Sequence, residues 1–152
     1  VYGSRLDIKV LDESFVLFVK GENSVPPMVE SISYYDNYTA GSIIPLSYGG
    51  SMIFESTEKG CFEFEFSTAP TASVIMADFL QNLEIRVTSG DMRVKLLRAE
   101  NRSSPGKNII RVYCSITAGT KSSVLSFIVD GDFSDSLGNK LGEDFVMRIN
   151  SL

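Results

Sequence analysis

At 152 residues and 16.7 kDa, the chain has room for one domain and a short extra element. Its 43% hydrophobic and 22% charged residues exclude a disordered segment, and the net charge of −5 with a pI near 4.7 excludes the cationic footprint that nucleic acid requires. Histidine is absent, which removes Ser-His-Asp and Cys-His catalysis, imidazole-ligated metals and imidazole pH switching. Tryptophan is absent too, and with it the strongest stacking anchor for sugars and interfaces.

In chain order, the first elements are short strands. Leu6-Asp7-Ile8-Lys9-Val10 alternates apolar and polar residues, and residues 15–20 form a second strand-length run before the turn Lys20-Gly21-Glu22-Asn23. The longest apolar run, 15–19, is far short of the roughly 18–20 residues of a spanning helix. Val1 opens the sequence with no basic-then-apolar leader before it, an opening shared by a processed exported protein and an excised segment. Val25-Pro26-Pro27-Met28 then marks a boundary, because two prolines remove backbone donors and stiffen the chain. Residues 1–24 are thus read as an N-terminal hairpin or the tail of a preceding domain, and residues 25–152 as the main domain.

Within 25–152, strands are expected at 28–33, 52–55, 61–66, 83–87, 94–97, 110–116, 124–129 and 144–150. Turn signals separate them at Tyr48-Gly49-Gly50, Lys59-Gly60, Ser89-Gly90-Asp91, Ser104-Pro105-Gly106-Lys107 and Leu137-Gly138-Asn139. Residues 74–80 break the period, with apolar residues at 75, 76, 79 and 80 suiting either a helical turn or an irregular crossover. Many short strands with Gly and Asn punctuation predict an all-β sandwich or barrel.

Two cysteines, Cys61 and Cys114, could form one disulfide or remain free thiols. Alternation in Cys61-Phe62-Glu63-Phe64-Glu65-Phe66 places Cys61 on the solvent side with the glutamates. In the strand 110–116, Cys114 shares the apolar face with Ile110, Val112 and Ile116.

Candidate chemistry is sparse. Tyr34, Tyr35, Tyr38 and Tyr48, with Asp36 and Asn37, are dense enough to form a stacking platform for sugars or a protein partner, or else divide between core and loop. Asp130, Asp132, Ser134 and Asp135 crowd carboxylates into one loop, giving calcium a weak foothold. EF-hand spacing fails there, since Asp135 and Leu141 stand where Gly and Glu are needed. The bland reading is a turn in which Asp135 accepts backbone N–H bonds while Gly138 and Asn139 tolerate positive φ. Ser56-Thr57-Glu58-Lys59 matches S-x-x-K in letters alone, at a strand end where i and i+3 do not align. Glu63 and Glu65 share a strand face roughly 6.5–7 Å apart, the ordinary outer pattern opposite buried phenylalanines. Asn37-Tyr38-Thr39 and Asn101-Arg102-Ser103 satisfy the glycosylation sequon.

Three motifs in order carry a family resemblance. Val25-Pro26-Pro27-Met28-Val29-Glu30-Ser31-Ile32-Ser33 resembles the entry strand of bacterial Ig-like domains of the S-layer (SbsA-like) type. Phe62-Glu63-Phe64-Glu65-Phe66-Ser67-Thr68-Ala69-Pro70 resembles their second strand. The segment from Phe127 to Leu141, with Asp130-Gly131-Asp132 and Leu137-Gly138-Asn139, resembles their penultimate strand and following turn. Residues 34–60 are longer than that pattern needs, and an inserted strand at 52–55 would absorb the excess.

The resemblance implies an Ig-like antiparallel β-sandwich over 25–152, preceded by an extra N-terminal hairpin or strand pair. It implies a non-catalytic structural or adhesion module of a bacterial exported or surface protein. That module would be secreted, periplasmic, lipid-anchored or at the cell surface, with neighbouring domains, surface proteins or glycans as partners. No cofactor, nucleic acid or membrane-spanning segment is expected. Two alternatives stay open: a β-sandwich recognition domain using Tyr34, Tyr35, Asp36, Tyr38 and Tyr48, and an ancillary domain of a larger extracellular enzyme.

Overall fold

The computed structural model describes residues 25–70 and 77–152. The expected strands at 6–10 and 15–20, and the first half of the 74–80 stretch, lie outside the described residues. Among the described residues, nine strands and one short helix follow in order: β1 (Val29–Tyr35), β2 (Ile43–Pro45), β3 (Ser51–Met52), β4 (Thr57–Phe66), α1 (Ala77–Gln81), β5 (Leu83–Ser89), β6 (Arg93–Asn101), β7 (Asn108–Thr117), β8 (Ser123–Val129) and β9 (Phe145–Ser151).

They form two sheets, ordered β2-β1-β4-β7-β6 and β3-β9-β8-β5. In Ig terms β1, β4, β7 and β6 occupy the places of strands A, B, E and D, while β5, β8 and β9 occupy those of C, F and G. The sandwich is Ig-like. All strand pairs are antiparallel save one, β3 beside β9.

The extra length of residues 36–56 goes into both sheets. β2 extends the first sheet beyond β1, and the chain then crosses to lay β3 along β9. The strand expected at 52–55 therefore shrinks to Ser51–Met52, because Phe54 turns away to enter the core. The crossing is tied by backbone bonds: Leu46 N–H to Ile32, Gly49 N–H to Arg148 and Asn150 N–H to Gly50.

Alternation explains the core. On β1 and β4 the even-numbered Ile32, Tyr34, Phe62, Phe64 and Phe66 face inward, in register with Val112 and Ile110 of β7. Opposite them Leu125, Phe127 and Val129 of β8 and Ile149 of β9 complete one cluster. Each such side chain, fully buried, contributes about 1.5–3 kcal/mol by removal from water. Helix α1 supplies Phe79, whose ring lies 5.5 Å from Phe64 and 5.2 Å from Phe133, so the aperiodic stretch ends as a helical plug for the core.

Turn chemistry sets two close approaches. At Gly90 φ is +92°, and a Cβ there would collide with Ser123 Oγ. Only glycine suits that crossing from β5 to β6. In the loop after β8, Asp135 is buried, and its Oδ1 accepts the N–H groups of Leu137 and Asn139, each at 3.0 Å.

Candidate recognition face

Cross-strand register assembles a patch on the outer face of the five-stranded sheet. Tyr35, Cys61, Tyr113 and Arg98 lie in one row across β1, β4, β7 and β6. Ser33, Glu63, Arg111 and Glu100 form the next. Opposite charges and aromatic rings thus become neighbours on one pleated surface, the unit from which sheets draw side-chain stabilisation.

The Glu63–Arg111 pair anchors the patch. Both Nε and Nη2 of Arg111 donate to Glu63 Oε2, at 2.9 and 2.6 Å, and the two side chains keep only 14% and 12% of their exposure. Burial pulls the Arg111 pKa down, but its bonds to Glu63 and Tyr113 outweigh that and hold it above the usual guanidinium value. Its guanidinium lies 5.4 Å from the Tyr35 ring centre. Beside it, Arg98 stacks 3.9 Å over Tyr113, whose hydroxyl donates to Glu100 at 3.0 Å. Glu100 also pairs with Arg98 and lies 3.6 Å from Arg102. Burial raises the Glu100 pKa, yet the bonds from Arg98 and Tyr113 prevail and hold it below the ordinary carboxylate value. Tyr38 closes the patch edge-on, 4.9 Å from Tyr113.

This layer corrects the expectation for Cys61. Its parity is as expected, outward with Glu63 and Glu65, but it is fully buried because the neighbouring tyrosines and arginines roof it. Cys114 faces the core as alternation predicts, so the two thiols point to opposite sides of the sheet and both are free. Burial pushes Cys61 up to about 11 and Cys114 up to about 12, which keeps both as neutral, unreactive thiols at neutral pH.

The expected tyrosine platform is divided among three places. Tyr34 is in the core, 5.0 Å from the rings of Phe54 and Phe62, which removes it as a ligand-binding residue. Its hydroxyl has no hydrogen-bond partner among the described residues, and burial drives its pKa far upward. Tyr35 and Tyr38 join the patch just described. Tyr48 stands 73% exposed on the β2–β3 turn, beside Val29, Leu46 and Phe145. Asp36 is exposed, and its backbone carbonyl accepts the Thr57 hydroxyl.

The aspartate loop is built as a turn. Asp135 Oδ2 accepts the Thr68 hydroxyl at 2.8 Å while Oδ1 serves the backbone, so its carboxylate is engaged on both oxygens. Asp130 accepts the Asp132 N–H, and Asp132 itself lies 3.6 Å from Lys140. These contacts engage Asp130, Asp132 and Asp135 within the turn. Among the described residues no group of three His, Cys, Asp or Glu side chains is placed to hold a metal. Ser56 Oγ accepts the Ala118 N–H, and Glu65 meets Ser31 at 3.4 Å, so the serine and the second glutamate serve local packing.

Sequence reasoning missed Arg98, Glu100, Arg111 and Tyr113. Arg111 and Tyr113 lie within the strand expected at 110–116, while Arg98 and Glu100 lie past the one expected at 94–97, where β6 runs on to Asn101; their meeting depends on register between strands, which alternation within one strand does not specify.

No family model, curated protein or solved structure matches the chain. Among the described residues no helix is long and apolar enough to cross a membrane.

Proposed function

We propose that this chain is a non-catalytic Ig-like structural or adhesion module of a bacterial exported or cell-surface protein. The observation that carries the reading is where the sandwich takes in and releases its chain. Val29 and Ile32 near the start of β1 line one groove with Phe145 and Met147 near the start of β9, so the first and last strands run the same way. Residues 25 and 152 therefore lie at opposite poles, an arrangement that strings modules end to end. Tension between the poles drags β1 and β9 lengthwise past their neighbours, so many ladder bonds resist together rather than one at a time. Supporting this are the motif resemblance and the acidic surface.

Single-molecule pulling tests it. Attachment at residues 25 and 152 gives an unfolding force well above that for attachment at 25 and 106, where both points lie at one pole and the sheet unzips sideways. Equal forces along the two axes would remove the argument for a load-bearing module.

A second reading is favoured by Tyr38, 37% exposed and held edge-on by Tyr113. In it, the patch recognises a glycan or protein surface. A saturable glycan-array signal lost in Tyr38→Ala supports this reading, and silence in the parent protein sinks it.

A further inference from the structure

β5 ends one sheet and β6 ends the other, on the same flank of the sandwich, and among the described residues neither carries a strand on its outer side. Helix α1 contacts both strands and fills one end of the gap, with Phe79 in the core. The Ser89-Gly90-Asp91 turn closes the other end. Between them is a cleft of about 460 Å³, lined on its apolar side by Ile85, Val87, Met92 and Val94.

The charge along this edge is lopsided. On β6, Arg93, Lys95 and Arg98 share the outer face, opposite Thr117, Ser115 and Tyr113 of β7. Arg98 is engaged by Glu100 and Tyr113. Arg93 and Lys95 are exposed, face neutral partners, and form no ion pair among the described residues. The nearest acid in sequence, Asp91, is occupied by the N–H and hydroxyl of Thr120. Among the described residues, Arg93 and Lys95 thus set two cations without an acidic partner side by side on one edge of a chain of net charge −5.

We propose that the first half of β6 is a strand-addition site for an extended peptide that alternates acidic and apolar residues. Added beside β6, such a strand sets its acids on the outer face against Arg93 and Lys95. Its apolar side chains, on the other face, enter the cleft over Ile85, Val87 and Val94. The irregularity between Leu96 and Arg98 ends the straight part of the edge, limiting the addition to residues 93–96. A second copy of this chain is a poor occupant through the same edge. Antiparallel β6–β6 pairing brings two cationic rows together, and like charges directly opposite destabilise. Edge lysines and arginines also serve as guards against aggregation. A guard alone, however, needs no apolar cleft behind it. The inference is independent of the module reading above.

The test uses the full isotope-labelled chain and two short capped peptides, one alternating glutamate with valine and one alternating lysine with valine. The glutamate peptide shifts the amide signals of residues 85–87 and 93–96 saturably. It binds about tenfold or more tightly than the lysine peptide at low salt, with the difference shrinking as salt rises. Arg93→Glu with Lys95→Glu, both at exposed positions, reverses that preference without altering the fold. Three outcomes overturn the proposal: no saturable shift, equal binding of the two peptides, or an edge already occupied in the free protein by residues 1–24 or by a second copy.

Discussion

The two flanks of this sandwich solve one problem in opposite ways. On the β1–β9 side the chain itself crosses the gap: β2 widens one sheet, β3 joins the other, and Phe54 drops into the core between them. On the β5–β6 side, among the described residues, only the short helix α1 and a glycine turn span the sheets, and the apolar interior is left with a side opening. Both flanks separate sheet edges that would otherwise invite foreign strands. One is covered by backbone and the other is marked by charge. A covered edge is committed to its own chain, whereas a charged edge still selects among partners.

The largest test of this contrast replaces the aromatic plug of each flank. Phe54→Ala and Phe79→Ala each remove a fully buried ring, and each is expected to cost about 3–5 kcal/mol in urea unfolding. If Phe54→Ala costs under about 1 kcal/mol, the crossing segment is decoration rather than closure.

Tyr34→Phe, beneath the covered flank, sharpens the picture at a smaller scale. Its hydroxyl is buried without a partner among the described residues, so deleting one oxygen is expected to raise stability by about 1 kcal/mol. A loss of that size in thermal or urea unfolding would mean the hydroxyl has a partner after all.

Val94→Ala, at the open flank, should change least. The side chain is only partly buried at the rim of the core, so about 1 kcal/mol is lost, measured by the same denaturation midpoint. A cost matching the plugs would show that the cleft is closed in solution.

Much of this architecture was readable from alternation alone. The strands expected at 83–87, 110–116 and 124–129 are present, slightly extended, because Leu83, Ile110, Val112, Leu125 and Phe127 repeat every second residue toward one core. Tyr34 was readable too, since it shares parity with Ile32 and separates from Tyr35 at once. The density of tyrosines hid that simple count. What alternation could not supply was the fate of the other face. Cys61 faces outward and is still fully buried, because Tyr35 and Tyr113 arrive from strands far away in sequence. The Glu63–Arg111 pair depends on the same long-range register. The candidate patch was therefore legible as residue types and illegible as a place.

The lone parallel pair, β3 beside β9, bears on how the protein is made. β9 also flanks β8 on the side away from β5, and the β8 residues Leu125, Phe127 and Val129 are fully buried. A chain emerging from the ribosome can pair β5 with β8, but must hold β3 and the other side of β8 without their common partner until β9 is out. Non-local pairings of this kind fold slowly and leave apolar strands unpaired meanwhile. Truncation by a few residues within β9 would thus leave β3 without its sheet and β8 paired with β5 alone.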